Sequence, residues 1–292
     1  MPKRHSNMTS DQFDHRTAWL EPPQPQDLIL TLLADNVRNR HERVWSSALS
    51  QIIEEFGFSA SLIRASLARL ARRNLIGRQK RGRFVAFHLT PRAEQLFAEG
   101  DRRIFTLGRN DQSDGKVTLL IHSMPSDMHH ERARLSRRLR FLGFGSPQDG
   151  VWICAGHRAQ EVTGILEELG VGHFHSIIVG RLAELAGAQP VLDNAWNFQR
   201  LHERYKAYVE VFAPFADAPT RSDREALHIR TVATHNYRQF PVLDPGIDSL
   251  LHPAPAYRAQ AISLFRNIHE GLAESAHRYF DQLASDTGIR AR

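Results

Sequence analysis

Eight basic side chains fall between positions 64 and 83: Arg64, Arg69, Arg72, Arg73, Arg78, Lys80, Arg81 and Arg83. No acidic residue lies between Glu55 and Glu94. A guanidinium is always charged, and its planar fork of donors matches phosphate oxygens and the O6/N7 edge of guanine. A dense, acid-free run of such groups suits a polyanion, with nucleic acid the first candidate. The competing reading is a solvated face in an arginine-rich chain, because only four of its 38 basic residues are lysines.

The elements that would carry these cations can be read from the apolar spacing. Leu28, Ile29, Leu32 and Leu33 predict a helix from Asp27 to Asn36. Val44-Trp45 is a short extended pair, after which Ser46 is placed as the cap of a second helix bearing Leu49, Ile52, Ile53 and Phe56. Gly57 ends it. Ser59 caps a third helix, residues 60 to about 73, with Ile63, Leu67 and Leu70 inward. Its opposite face presents Ser61, Arg64, Ala65, Ala68 and Arg72, with Arg69 and Arg73 on a flank. Two helices joined by Phe56-Gly57-Phe58-Ser59 form a helix-turn-helix pattern whose second member is the recognition helix. Residues 75–78 and 83–88 read as strands around the basic turn 79–82, a β-hairpin wing, and Thr90-Pro91 opens a further helix. The predicted DNA-contacting set is therefore Ser61, Arg64, Ala68, Arg69, Arg72, Arg73, Arg78, Lys80, Arg81 and Arg83. Arg64 and Arg69 are expected to approach bases in the major groove, while Arg78, Lys80, Arg81 and Arg83 meet phosphates or the minor groove. The alternative for Arg69 is an internal ion pair with Glu54 or Glu55.

Charge along the chain sharpens this reading. The net charge is +6 over 292 residues. Residues 27–105 hold 14 basic and 8 acidic side chains, whereas residues 1–26 and 106–292 each balance to zero. The whole excess sits in one segment. A chain of this length, 41% hydrophobic and 24% charged, suggests two or three folded domains. No apolar run approaches a membrane span, and residues 1–26 contain no apolar core of a secretory signal, so no membrane partner is expected. The single cysteine, Cys154, excludes an internal disulfide framework and fits the cytoplasm. Residues 1–26 read as a disordered arm and 27–105 as the helix-turn-helix domain.

Residues 113–186 read as strand, helix, two strands around Gln148-Asp149-Gly150, helix and strand, the βαββαβ order of a ferredoxin-like fold. The first of these helices carries Arg132, Arg134, Arg137, Arg138 and Arg140 largely outward, either a second basic surface or a solvated face. After a linker at 183–190, residues 190–285 read as helical stretches over 193–212, 222–240 and 254–283. The fold class is α+β and multidomain. No glycine-rich phosphate loop and no Gly-x-Ser-x-Gly elbow occurs. His129-His130 and His173-x-His175 lack cysteine or carboxylate partners at ligand spacing, so no metal is expected. Cys154 reads as a buried small hydrophobe. No enzyme is predicted.

These pieces in this order resemble the PaaX family of bacterial transcriptional repressors, which control aromatic-acid (phenylacetate-type) catabolic operons. The matching stretches are Val44-Trp45, Phe56-Gly57-Phe58-Ser59 running into Ile63-Arg64 and Leu67-Ala68-Arg69-Leu70, and Leu89-Thr90-Pro91-Arg92. Further on they are residues 137–145, Gly150-Val151-Trp152-Ile153, His235-Asn236-Tyr237-Arg238 and Leu243-Asp244-Pro245. The resemblance implies a winged helix, a central domain like the Cas2 nucleases and a helical C-terminal domain. It also implies a homodimer that binds operator DNA and is released by an aryl-CoA thioester such as phenylacetyl-CoA, with no cofactor. The sequence departs from the family pattern at Ala256-Tyr257, where a tryptophan is common, and at Lys116-Val117, where an aromatic is common; both bear on the identity of the effector. A CoA thioester needs cations beside an apolar cavity. Arg230, His235, Tyr237 and Arg238, with His228 nearby and Asp244 to orient a cation, are candidates for it, or else a structural ion-pair network. A Cas2-like domain also invites a metal-dependent nuclease. That chemistry needs a carboxylate at the end of the first strand, where this chain has His122-Ser123-Met124-Pro125. A basic interaction module without effector control is the remaining alternative.

Overall fold

The structure is a computed structural model and describes residues 13–108, 116–182, 188–216, 222–247 and 252–285. Residues 183–187 of the expected 183–190 linker and residues 1–12 of the expected arm lie outside these, and residues 188–190 of that linker are helical instead. The chain divides into two units, one of residues 1–94, 214–235 and 267–292, the other of residues 95–213 and 236–266.

The first unit holds α1 (Pro25–Asn36), β1 (Val44–Trp45), α2 (Ser46–Glu54), α3 (Ala60–Arg72), β2 (Ile76–Arg81) and β3 (Phe84–Leu89). Leu49, Ile52 and Ile53 of α2 and Ile63, Leu67 and Leu70 of α3 are buried, as their spacing requires. Trp45, not Ser46, is the N-cap of α2; Ser46 is already helical. Ser59 does cap α3, its Oγ accepting from the Leu62 N–H at 3.4 Å. Gly57, at φ +87°, makes the reversal between the two helices, a conformation other residues adopt only with strain. The three strands lie in the order β1-β3-β2, all antiparallel.

The hairpin is longer than its sequence suggests. Gln79, Lys80 and Arg81 belong to β2, and the reversal is the two residues Gly82-Arg83. Gly82 takes φ +58° at the first central position, where tight hairpins favour glycine. Only the base of the ribbon is buried, at Ile76, Ala86 and Phe87; from Arg78 to Arg83 every residue is exposed.

Helix α1 is buried on nearly all sides, including Thr31 and Asn36, rather than on one face. The reason lies far along the chain. Within this unit, α9 (Asp223–Tyr237) and α12 (Ala273–Ser285) reach α1 through His235 at Thr31 Oγ1, Arg230 at Asp35 and His277 at the Asp35 carbonyl, and Leu227, Ile229, Val232, Ala276 and Phe280 of these helices are buried. Residues 13–20, expected within a disordered arm, also pack here. Ala18 is buried, the Phe13 N–H donates to Glu225 Oε1 at 3.2 Å, and Trp19 stands edge-on to His235 at 5.3 Å. Phe13, Ala18 and Trp19 give this segment the apolar area that the polar composition of the arm conceals.

The second unit contains β4 (Lys116–His122), α5 (His129–Phe141), β5 (Gly145–Gln148), β6 (Val151–Ala155), α6 (Ala159–Leu169) and β7 (His175–Arg181). The strand order is β5-β6-β4-β7 with every pair antiparallel. One sheet face buries Leu120, Trp152 and Cys154 against Leu135 and Leu139 of α5 and Val162 and Leu166 of α6. The other buries Val117 and Ile153 against Leu192 of α7 (Ala188–Trp196). The backbone of α7 comes so close to β5 that a Cβ on Gly145 would lie 2.6 Å from the Ala195 carbonyl oxygen.

The helix expected over 193–212 is two, α7 and α8 (Phe198–Phe212), divided at Asn197. Asn197 takes φ +41° and caps α8, its Oδ1 accepting from the Arg200 N–H at 3.1 Å. The stretches 222–240 and 254–283 likewise break into α9 and α10 (Phe240–Leu243), and α11 (Arg258–Gly271) and α12. Helices α4 (Pro91–Thr106), α9 and α11 cross the division between the units.

Candidate nucleic-acid interface

The side chains of α3 point where the apolar spacing put them. Ser61, Arg64, Ala68, Arg69, Arg72 and Arg73 are all exposed, while Ile63, Ser66, Leu67 and Leu70 face the core. Among the described residues, Arg64, Arg72 and Arg73 make no side-chain hydrogen bond or ion pair. Arg69 donates from Nη2 to Ser66 Oγ at 2.9 Å. The internal pair of Arg69 with Glu54 or Glu55 does not form: Arg69 turns to Ser66, and Glu55 is held by His228, Arg224 and Tyr279.

In the hairpin, Arg78, Lys80, Arg81 and Arg83 are exposed, and Arg83 lies over the Phe84 ring at 5.1 Å. Trp45 of β1 meets Phe84 edge-on at 6.1 Å, and Arg43 donates to Gln79 Oε1 at 3.4 Å. These contacts brace the middle and the turn end of the ribbon, while its cations stay exposed. A row of exposed cations without acidic neighbours on a helix and an adjoining ribbon can neutralise phosphates and present donors to base edges.

Glu55, at the C-terminal end of α2 and next to the turn into α3, has partners other than the Arg69 expected for it. His228 Nε2 lies 2.6 Å from its Oε2, Arg224 Nε donates to Oε2 at 3.0 Å, and the Tyr279 hydroxyl donates to Oε1 at 2.6 Å. Burial alone would raise this carboxyl. The hydrogen bonds from His228, Tyr279 and Arg224 instead hold it at about 2, and the carboxylate in turn pushes Tyr279, already raised by burial, to about 12. His228 also packs against Phe56 at 4.8 Å. The partners stand about 170 to 224 residues from Glu55 in sequence, so no local spacing marks them. A second tie joins α1 to α9: Arg230 lies 3.6 Å from Asp35 and His269 lies 3.4 Å from it. Burial opposes charge on Asp35, but the His269 hydrogen bond and the Arg230 charge hold its carboxyl below the usual range.

The candidate effector residues fall in both units. Arg230 and His235 belong to the first unit and Tyr237, Arg238 and Asp244 to the second. Arg230 donates from Nε to the His269 carbonyl at 2.9 Å, and His235 meets Thr31 Oγ1 at 3.3 Å. Tyr237 is fully buried and stacks on Phe265 at 3.9 Å, with no hydrogen-bond partner for its hydroxyl among the described residues. Asp244 accepts from the Tyr205 hydroxyl and Arg258 Nε, both at 2.6 Å, and from the Gly246 N–H at 2.9 Å. Asp244 is thus held in a buried ion pair with Arg258, a residue outside the expected set, while Arg230 pairs with Asp35. A separate cavity of about 740 Å³ in the second unit is lined by Asn194, Asn197, Phe198, His202, His252 and Pro253, among others.

Cys154 is buried, and burial pushes its thiol up to about 11, an unreactive state. His122 ends β4 directly opposite His175 of β7, ring centroids 5.6 Å apart. Among the described residues, no group of three or more His, Cys, Asp or Glu could hold a metal ion, and no helix is long and apolar enough to cross a membrane.

Family models cover most of the chain. Residues 24–93 match the PaaX-like protein model, residues 110–191 the PaaX protein central Cas2-like domain, and residues 196–282 the PaaX-like protein C-terminal domain. The chain belongs to the PaaX family. PaaX-family proteins are transcriptional regulators, which suits the exposed cations of α3 and its hairpin and a DNA partner. No curated protein matched the sequence. Among solved structures, the chain is similar to the uncharacterized protein Rv0674 from Mycobacterium tuberculosis, with a TM-score of 0.55 and 16% identity over 86% of this chain and 96% of that one. At that identity the likeness concerns the fold.

Proposed function

We propose that this PaaX-family chain is a cytoplasmic repressor of an aromatic-acid (phenylacetate-type) catabolic operon. It binds operator DNA as a homodimer through a winged helix-turn-helix and is released by an aryl-CoA thioester such as phenylacetyl-CoA. The observation that carries the DNA reading is the unpaired, outward set of cations on α3 and the β2–β3 ribbon, in a segment that holds the whole net charge of the protein. The α2-turn-α3 geometry and the ribbon support the winged-helix reading. The antiparallel order β5-β6-β4-β7 supports a ferredoxin-like reading of the central domain. Family membership supports phenylacetate catabolism as the regulated process.

The wing is tested by salt dependence. Arg81→Ala is expected to weaken binding to all duplexes alike and to flatten the slope of log K against log salt by about 0.9, one phosphate contact. An unchanged slope would remove Arg81 from the interface. The effector is tested by melting. At roughly 100 times Kd, phenylacetyl-CoA is expected to raise Tm by on the order of 5 °C. A Tm that no CoA thioester shifts at high concentration would contradict effector control.

A further inference from the structure

The geometry points to a second phosphate-binding face, on α5 of the Cas2-like domain, that takes the backbone of duplex DNA without reading its sequence. This rests on the DNA-binding reading above and adds a surface outside the helix-turn-helix unit. Arg134, Arg137 and Arg140 are exposed along one side of α5, at successive intervals of three residues. The helical rise spaces them by about 4.5 Å each, so the row spans about 9 Å. Phosphates of one DNA strand recur every ~3.4 Å along the duplex axis, so such a row can meet two or three of them.

The neighbouring acids do not neutralise the row. Glu168 of α6 is held by a bidentate ion pair with Arg138, a helix position away from it, although its charge is also felt by Arg134. Glu131 precedes Arg134 by three residues in the same series, at the N-terminal end of the row, but among the described residues no ion pair joins the two. Arg132 is turned inward and donates to the Met124 carbonyl at 2.6 Å. Of the five arginines on the helix, two are thus spent on structure. Among the described residues, Arg134 and Arg137 make no hydrogen bond or ion pair, and Arg140 only lies near the Trp152 ring, at 5.8 Å. The helix itself is fixed by Leu135 and Leu139 in the sheet core, so the three guanidinium groups project from a rigid support.

The full-length protein should be titrated with a labelled 40-base-pair duplex of unrelated sequence over a series of salt concentrations. Arg134→Ala/Arg137→Ala/Arg140→Ala is expected to flatten the log K against log salt slope by two to three units, at about 0.9 per contact, with Tm unchanged. The corresponding triple lysine variant is expected to keep the slope. A slope unchanged in the alanine variant, while the wild type binds and Arg81→Ala flattens its own slope, overturns the α5 proposal alone. So does loss of binding to phosphatidylglycerol vesicles with the DNA slope intact. Failure of the wild type to bind any duplex overturns both this proposal and the DNA-binding reading.

Discussion

Replacing Arg64 and Arg69 together by alanine is expected to abolish the preference of the protein for its operator while leaving weak, salt-sensitive duplex binding. Both side chains project from the exposed face of α3, and neither is tied to an acid. A bidentate arginine–guanine contact discriminates against the wrong base by about 1–3 kcal/mol, roughly 5- to 150-fold per position. The hairpin cations remain in the double variant, and phosphate contacts supply most of non-specific affinity. Competition titrations against operator and random duplex separate the two terms. An equal loss on both duplexes would assign Arg64 and Arg69 to phosphates rather than to bases.

Glu55→Ala is expected to destabilise the first unit strongly. The substitution leaves His228 and Tyr279 without their shared acceptor and Arg224 without its partner. Breaking a largely buried, hydrogen-bonded charge cluster from one side costs about 3–5 kcal/mol. Arg224 is the exposed member of the set, so a loss of about 2–4 kcal/mol is expected, with a fall in Tm of roughly 5–10 °C. The same carboxyl gives a pH signature. Its value of about 2 in the folded protein lies below its ordinary 4.5, so its contribution is complete above pH 4.5 and is lost as pH falls toward 2. Glu55→Gln, which keeps an acceptor but no charge, should lose stability at pH 7 and show less further loss between pH 4.5 and 2 than the wild type. Equal acid sensitivity of the two proteins would place the acid lability elsewhere.

What the sequence made legible follows from the range of the interactions involved. Helices α2 and α3, their turn and the orientation of Arg64, Arg72 and Arg73 depend on apolar spacing, a serine cap and a glycine, all local signals. The order of elements in the central domain was legible for the same reason. Hairpin limits were not: Lys80 and Arg81 are poor strand formers and pair with Val85 and Phe84 only because Gly82 allows a tight reversal. The breaks at Asn197 and between α11 and α12 were missed because the apolar pattern continues across them. Partners of Glu55 and Asp35 could not be read at all, since residues from far along the chain supply them and no spacing rule connects α2 to α9 and α12. That long-range packing also explains why α1 is buried all round.

The most direct measurement is selection of bound duplexes from a random pool by the purified wild-type protein at physiological salt. A homodimer that reads bases through α3 should enrich an inverted repeat whose half-sites lie one helical turn or a multiple of it apart. That enrichment should vanish in Arg64→Ala/Arg69→Ala. Recovery of duplexes with no common sequence, or of the same repeat by wild type and double variant, would contradict sequence recognition by this helix.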